Sequence, residues 1–205
     1  MTRKGVGTLS KSDNETERWV FGYGSLMWRP GFDHLERRHA RIDGVCRSLC
    51  VLSHVHRGTP ERPGLVLGLD AGGACEGVAF RVALEDWPDV LAYLRAREQV
   101  TGVYLERSHP IMLMSEEPTR PGCEGAEQRQ VEALCYVVDQ THVQYAGSLT
   151  TSKMVDIVMG AIGQSGPNPD YVLNTVAHLA EMDVHDPDLF ELADRIRSHP
   201  AHAGT

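Results

Sequence analysis

Polar residues dominate the chain through Arg18, and the first apolar run, 19–21, reads as the end of a strand. A mixture of β-branched, apolar and polar residues over 41–54 predicts another strand or two. Segments 64–69 and 77–82 are strand-like, the second entered through the turn-rich AGGACEG stretch. The clearest helix covers 85–100: Asp86, Pro88 and Asp89 suit a first turn, and Gly102 follows its end. Strands are expected again at 109–114 and 131–138, with SEEPTRPGCEGAEQRQ between them as an exposed loop. From Ser152 the period becomes helical, in SKMVDIVMGAI, DYVLNTVAHLAEM and DPDLFELADRIRSH. Strands early, helices late and no regular βαβ alternation indicate an α+β fold. Neither an internal repeat nor a splitting linker interrupts it, so a single domain is expected over 19–200, behind a disordered tail at 1–18.

Composition narrows the function. A chain of 205 residues can bury a substantial core as one domain. Its net charge of −8 and lack of a long basic block argue against a grip on nucleic acid or an anionic membrane surface. No apolar run approaches the roughly 18 residues that cross a bilayer, and the polar N-terminal segment has no apolar signal core. The five cysteines (Cys46, Cys50, Cys75, Cys123, Cys135) are odd in number and lack CxxC spacing, which points to reduced thiols and a cytoplasmic setting.

The stretch FGYGSLMW, residues 21–28, invites three readings that fail on spacing. A dinucleotide fingerprint needs a third glycine where Met27 stands, and a phosphate-binding P-loop needs a lysine that is absent. A nucleophile elbow needs GxSxG, whereas Ser25 is flanked at those distances by Tyr23 and Met27. What remains is a strand running into a glycine-permitted turn. Such a turn can aim successive backbone N–H groups at a carboxylate or a developing oxyanion, or it can be an ordinary turn packed by Phe21 and Trp28.

Glu98 stands out on the predicted helix. Trp87, Leu91, Leu94 and Glu98 share one face at the 3.6-residue period, while Arg95 and Arg97 are directed elsewhere. A carboxylate thus occupies a position where the stripe calls for a core side chain. Partial burial would raise its pKa and suit it to general-base work. The alternative is a stripe that ends there, with Glu98 solvated in the last turn. His54 and His56 would share a strand face, but no spacing supplies a third ligand, so no metal site is assigned. Arg57, in the rigid HRGTPERPG turn, can pair with a ligand carboxylate or remain in solvent. Cys46 and Cys50 read as small buried residues. In the turn at 163–171, Asn168 and Asp170 are candidate N-caps.

Taken together and in order, VFGYGSLMW, HRGTPERPG, EGVAFRV, YLRAREQVTGVY, QYAG and SGPNPDY make the sequence resemble the ChaC-type γ-glutamylcyclotransferases over about residues 19–180. YGSL alone is weak, but followed by HRGTPxxPG and a helix ending in RE it is highly specific. The resemblance implies an α+β fold with a small mixed β-barrel-like sheet and packed helices. It also implies conversion of glutathione into 5-oxoproline and cysteinylglycine. Carried over by position, Gly22, Tyr23, Gly24, Ser25, Leu26 and Met27 would hold the γ-glutamyl group, and Glu98 would be the catalytic acid/base. Tyr145 also falls in a matching segment. Two departures, Val45 after Gly44 and the spacing of Gly102-Val103-Tyr104, bear on substrate preference more than on chemistry.

This chemistry requires no cofactor or metal from the protein, since the substrate's own α-amino group can attack its γ-carbonyl. The expected partner is a small molecule, glutathione, with no nucleic acid and no membrane; oligomeric state is left open. Two rival readings are a cyclotransferase for other γ-glutamyl amines or dipeptides, and a non-catalytic regulatory protein linked to cation transport.

Overall fold

The computed structural model describes residues 17–114 and 129–200. The tail expected at 1–18 therefore falls, up to residue 16, outside the described residues, as does most of the expected loop with Cys123. The chain begins with β1 (Arg18–Gly22), a 3-10 turn (Ser25–Met27), β2 (Glu36–Ser53) and β3 (Gly64–Val82). It continues with α1 (Trp87–Glu98), β4 (Tyr104–Leu113) and β5 (Arg129–Val138). Last come α2 (Thr151–Gly160), the two-residue strands β6 (Ile162–Gly163) and β7 (Gly166–Pro167), α3 (Asn168–Glu181) and α4 (Pro187–Arg197).

Five strands close a barrel in the order β1-β3-β2-β4-β5. Neighbours are antiparallel except at the seam, where β1 runs parallel to β5 through the pairs Trp19–Ala133 and Val20–Leu134. Closure leaves no free edge on the barrel strands near the seam, and it buries Trp19, Val20 and Phe21.

The two strands expected at 64–69 and 77–82 are one, and AGGACEG is a bulge within it. Opposite Asp43 and Val45 the partners step from Ala74 to Ala71, so β3 carries one extra residue there. Gly72 (φ +99°) and Gly73 (φ +69°) take up the left-handed backbone that this extra residue imposes. A compensating bulge in β2, between Ser48 and Val51, restores the register. Opposed bulges bend the long β2–β3 ribbon. Its Glu36–Asp43 half pairs into the barrel, and its far half reaches the C-terminal helices.

Helices α2, α3 and α4 join the main core through Val155, Val158, Val176, Leu179, Leu192 and Ile196. Helix α1 packs separately, with Val90 and Leu94 against Val20, Leu26, Val82 and Tyr136. Each fully buried aliphatic side chain of this kind contributes about 1.5–3 kcal/mol. Leu26 therefore pins the 3-10 turn to the same small core that seats α1.

Asn168 does not cap α3; Pro167 occupies that position. The Asn168 amide is fully buried and clips β3 instead, accepting from Leu65 N–H (2.6 Å) and donating to Leu65 C=O (2.8 Å). This strand-like pairing satisfies a stretch of β3 that no neighbouring strand covers on that side. His54 and His56 lie beyond the end of β2, so strand alternation does not apply to them; His56 Nδ1 instead lies 3.1 Å from Ser165 Oγ.

Candidate active site

The glycine turn is built by close approach. Gly22 and Gly24 both have negative φ, so the turn needs its glycines for space and not for a left-handed backbone. A Cβ at Gly22 would stand 3.0 Å from Leu26 Cβ and 3.3 Å from Met27 N, so this position admits little more than hydrogen. The chain leaves β1, passes buried Tyr23, and enters a 3-10 turn in which Met27 N–H donates to Gly24 C=O at 2.9 Å. At the start of such a turn the leading N–H groups, those of Ser25 and Leu26, have no acceptor within the turn. Trp28 closes the segment by stacking on His178 of α3, with ring centroids 4.5 Å apart.

Two arginines grip this turn. From β2, Arg47 is almost wholly buried; its Nε donates to Tyr23 C=O at 2.6 Å and its Nη1 meets Asp186 Oδ2 at 3.2 Å. Asp186 also caps α4 by accepting from Leu189 N–H, so the turn is tied to a helix 139 positions beyond Arg47. From the end of α1, Arg97 donates to Ser25 Oγ at 2.8 Å and to Arg29 C=O at 2.7 Å. The expectation that Arg95 and Arg97 both point elsewhere holds for Arg95, which forks onto Glu106, and fails for Arg97. A guanidinium only donates, so the partner on Ser25 is not a base that would activate it as a nucleophile.

Glu98 is the last residue of α1, and its side chain is one-fifth exposed, at 20%. Burial holds its carboxyl above the ordinary carboxylate range, against the opposing pull of Arg97, whose Nε lies 3.0 Å from Glu98 Oε1. The apolar-face reading of Glu98 therefore describes its position better than the solvated-end reading. Four phenols lie within electrostatic reach of it. Burial, with smaller contributions from one another and from Glu98, pushes Tyr23 and Tyr104 well above the usual phenol range. Burial pushes Tyr171 up to about 12, again with Glu98 contributing, and Tyr136 is raised as well. All four hydroxyls are neutral near pH 7.

Two of these phenols are locked by one residue of β3. Tyr104 donates to Leu67 C=O at 2.6 Å, and Leu67 N–H donates to the Tyr171 hydroxyl at 3.1 Å. Leu67 thus does for the two tyrosines what Leu65 does for Asn168, and β4 and α3 are brought together on one strand edge. Neither tyrosine's role is apparent from spacing, although both stand in segments that carry the family resemblance. Arg47 was missed too; a charged residue amid the apolar positions of β2 was its only signal.

The remaining predicted residues lie around this group. Arg57 places its guanidinium 5.3 Å from the Tyr171 ring, with Nη1 donating to Ser165 C=O (2.6 Å) and Pro167 C=O (3.3 Å). It staples the β2–β3 connection to the β6–β7 hairpin. Tyr145 donates to Asp70 Oδ2 at 2.8 Å and accepts from Gln140 Nε2 at 3.3 Å, which places it in a neighbouring polar cluster. Among the described residues no cluster of three or more His, Cys, Asp or Glu side chains could hold a metal ion.

A closed five-strand barrel with helices packed on its extended ribbon is a γ-glutamylcyclotransferase fold. The structure of the yeast γ-glutamyl cyclotransferase specific to glutathione shares it, with a TM-score of 0.77 at 22% identity over 93% of this chain and 100% of that one. A family model described as ChaC-like protein matches residues 18–199, and the chain belongs to that family. It is 30% identical over 187 residues to the glutathione-specific gamma-glutamylcyclotransferase of Escherichia coli K12, covering 91% of this chain and 76% of that protein. It is 33% identical over 178 residues to glutathione-specific gamma-glutamylcyclotransferase 1 of Danio rerio, covering 85% of this chain and 86% of that protein.

Proposed function

We propose that the protein is a γ-glutamylcyclotransferase that converts glutathione into 5-oxoproline and cysteinylglycine, with Glu98 as general acid/base. The observation that carries this reading is a carboxylate at the end of α1, only one-fifth exposed and tied through Arg97 to Ser25 of the glycine turn, with burial holding its pKa up. The two relatives named above, both called glutathione-specific, support the choice of substrate.

The substrate brings its own nucleophile. Glu98, as carboxylate, takes a proton from the α-ammonium group, and the freed amine attacks the γ-carbonyl carbon. A five-membered ring closes as the new C–N bond forms. The tetrahedral intermediate collapses by breaking the old amide bond as Glu98 returns its proton to the nitrogen of the departing cysteinylglycine; the second proton on the ring nitrogen then passes by way of Glu98 to the released amine, leaving a neutral lactam and an ammonium. Atoms balance without water, and no serine, thiol or metal takes part. Folding the γ-glutamyl chain into attack geometry supplies several kcal/mol of the barrier reduction. The N–H groups of the turn from Gly22 to Met27 receive either the substrate α-carboxylate or the developing oxyanion. Tyr23, Leu26 and Met27 shape that end, Ser25 positions it, Arg57 is assigned to the far carboxylate of the peptide, and Tyr145 is assigned to substrate binding. The domain is read as single over 19–200 and its setting as cytoplasmic, in keeping with free thiols at Cys46, Cys50, Cys75 and Cys135.

The test is incubation of the purified protein with glutathione and with a panel of γ-glutamyl dipeptides and amines, following 5-oxoproline. Equimolar 5-oxoproline and cysteinylglycine from glutathione, with slower release from the panel, is the expected result. Faster turnover of another γ-glutamyl compound would reassign the substrate; no 5-oxoproline from any of them would remove the activity.

A further inference from the structure

Arg97 joins two parts of the candidate site that arise far apart in the chain. Its Nε is 3.0 Å from Glu98 Oε1, its Nη2 donates to Ser25 Oγ at 2.8 Å, and its Nη1 reaches Arg29 C=O (2.7 Å), Tyr93 OH (2.9 Å) and Pro30 C=O (3.3 Å). One planar fork therefore spans the proposed proton carrier, the glycine turn and the segment leaving that turn. Adjacent residues on a helix do not face each other. Here the arginine reaches Glu98 because α1 ends at that residue, leaving the guanidinium free to fold across the helix terminus.

We infer that Arg97 is a positioning residue for the proposed reaction, fixing the Glu98 carboxylate in register with the turn that receives the γ-glutamyl group. This inference rests on the cyclotransferase reading and adds to it a residue with two separable contributions. Its charge is the single full charge facing Glu98 among the described neighbours. The others are Tyr23 before the 3-10 turn, Tyr104 of β4, Tyr136 of β5 and Tyr171 of α3, all neutral hydroxyls. Its fork geometry sets the distance between Glu98 and Ser25. A lysine keeps the first contribution and loses the second, because an ammonium is a point charge without the planar fork.

The experiment measures 5-oxoproline release from glutathione across pH for the wild type, Arg97→Gln, Arg97→Lys and, as a control, Arg95→Gln. Glu98 must be deprotonated to take its proton, so activity falls as pH drops through its pKa. Removing the neighbouring positive charge raises that pKa, and the acid limb of Arg97→Gln moves to higher pH. Its kcat/KM falls on the order of 10- to 100-fold, the loss expected for charge-assisted hydrogen bonds. Arg97→Lys keeps the acid limb near its wild-type position yet shows a raised KM, since the turn is no longer held. Arg95→Gln matches the wild type. A purely structural role would lower the melting temperature of the Arg97 variants and leave the acid limb and KM of the folded enzyme unmoved, and that result overturns the inference. If Arg97→Gln does not fold, Arg97→Lys decides alone, with wild-type KM and kcat as the overturning outcome. No turnover by the wild type would overturn the cyclotransferase reading and this inference together, whereas normal wild-type turnover with unaffected Arg97 variants would overturn this inference only.

Discussion

Two glutamates, Glu98 and Glu106, each lie within 3.0 Å of an arginine from α1, yet their carboxyls shift in opposite directions. Glu106, on β4, receives a bidentate fork from Arg95 at 2.8 and 2.8 Å, and these hydrogen bonds hold its carboxyl below the ordinary range. Glu98 meets one nitrogen of Arg97 and is raised, because burial outweighs that attraction. An ion pair by itself thus says little about a carboxylate; the two side chains are similarly exposed, at 20% and 24%, and the depth of protein around each and the number of donors decide the sign. Arg97 spreads its donors over Ser25, Arg29 and Tyr93, leaving Glu98 incompletely neutralised. A carboxylate left in that condition holds its proton to higher pH than an ordinary one, which suits it to take up and return a proton. Glu106, fully engaged by the Arg95 fork, is held ionised instead.

The largest effect that could break this contrast is on turnover. Glu98→Gln is expected to lower 5-oxoproline formation by on the order of 10²–10⁴-fold, the usual contribution of a positioned acid/base. Glu106→Gln should keep near wild-type activity, and circular dichroism checks that both remain folded. Glu98→Gln should also match or exceed the wild type in thermal stability at pH 7. With its folded-state pKa raised, Glu98 favours folding while protonated, and that contribution is lost as pH rises through the folded pKa.

A middle-sized effect comes from admitting water beneath Glu98. Leu94, four residues earlier on the same helical face, is fully buried. Leu94→Ala should cost roughly 2–5 kcal/mol in denaturant unfolding. It should also move the acid limb of activity to lower pH, bringing Glu98 closer to the behaviour of Glu106. The smallest effect belongs to Arg95→Gln. Its pair with Glu106 lies at the surface, and the melting temperature is expected to stay within experimental scatter.

Helix α1 and the change from strands to helices were legible because each rests on a local period. Glu98 was legible for the same reason, as a charge at a stripe position one turn after Leu94. The bulged β2–β3 ribbon was not, since two glycines that allow positive φ mark a turn and a bulge alike until the partner strand is known. Residues that assemble the site from a distance escaped altogether. Tyr104, Tyr171 and Asn168 act on Leu67 and Leu65 across 37, 104 and 103 positions, separations that no helical or strand period reports. Arg97 escaped for a different reason: its helical phase points away from the apolar stripe, and only the end of α1 lets the side chain turn back.

The contrast between the two glutamates is tested most directly by titrating their side-chain carboxyl carbons by ¹³C NMR in the folded wild-type protein. Glu98 is predicted to titrate above, and Glu106 below, the ordinary carboxylate midpoint of 4.5. A Glu98 that titrates at or below that midpoint, alongside Glu106, would contradict the account and leave the proposed reaction without its proton carrier.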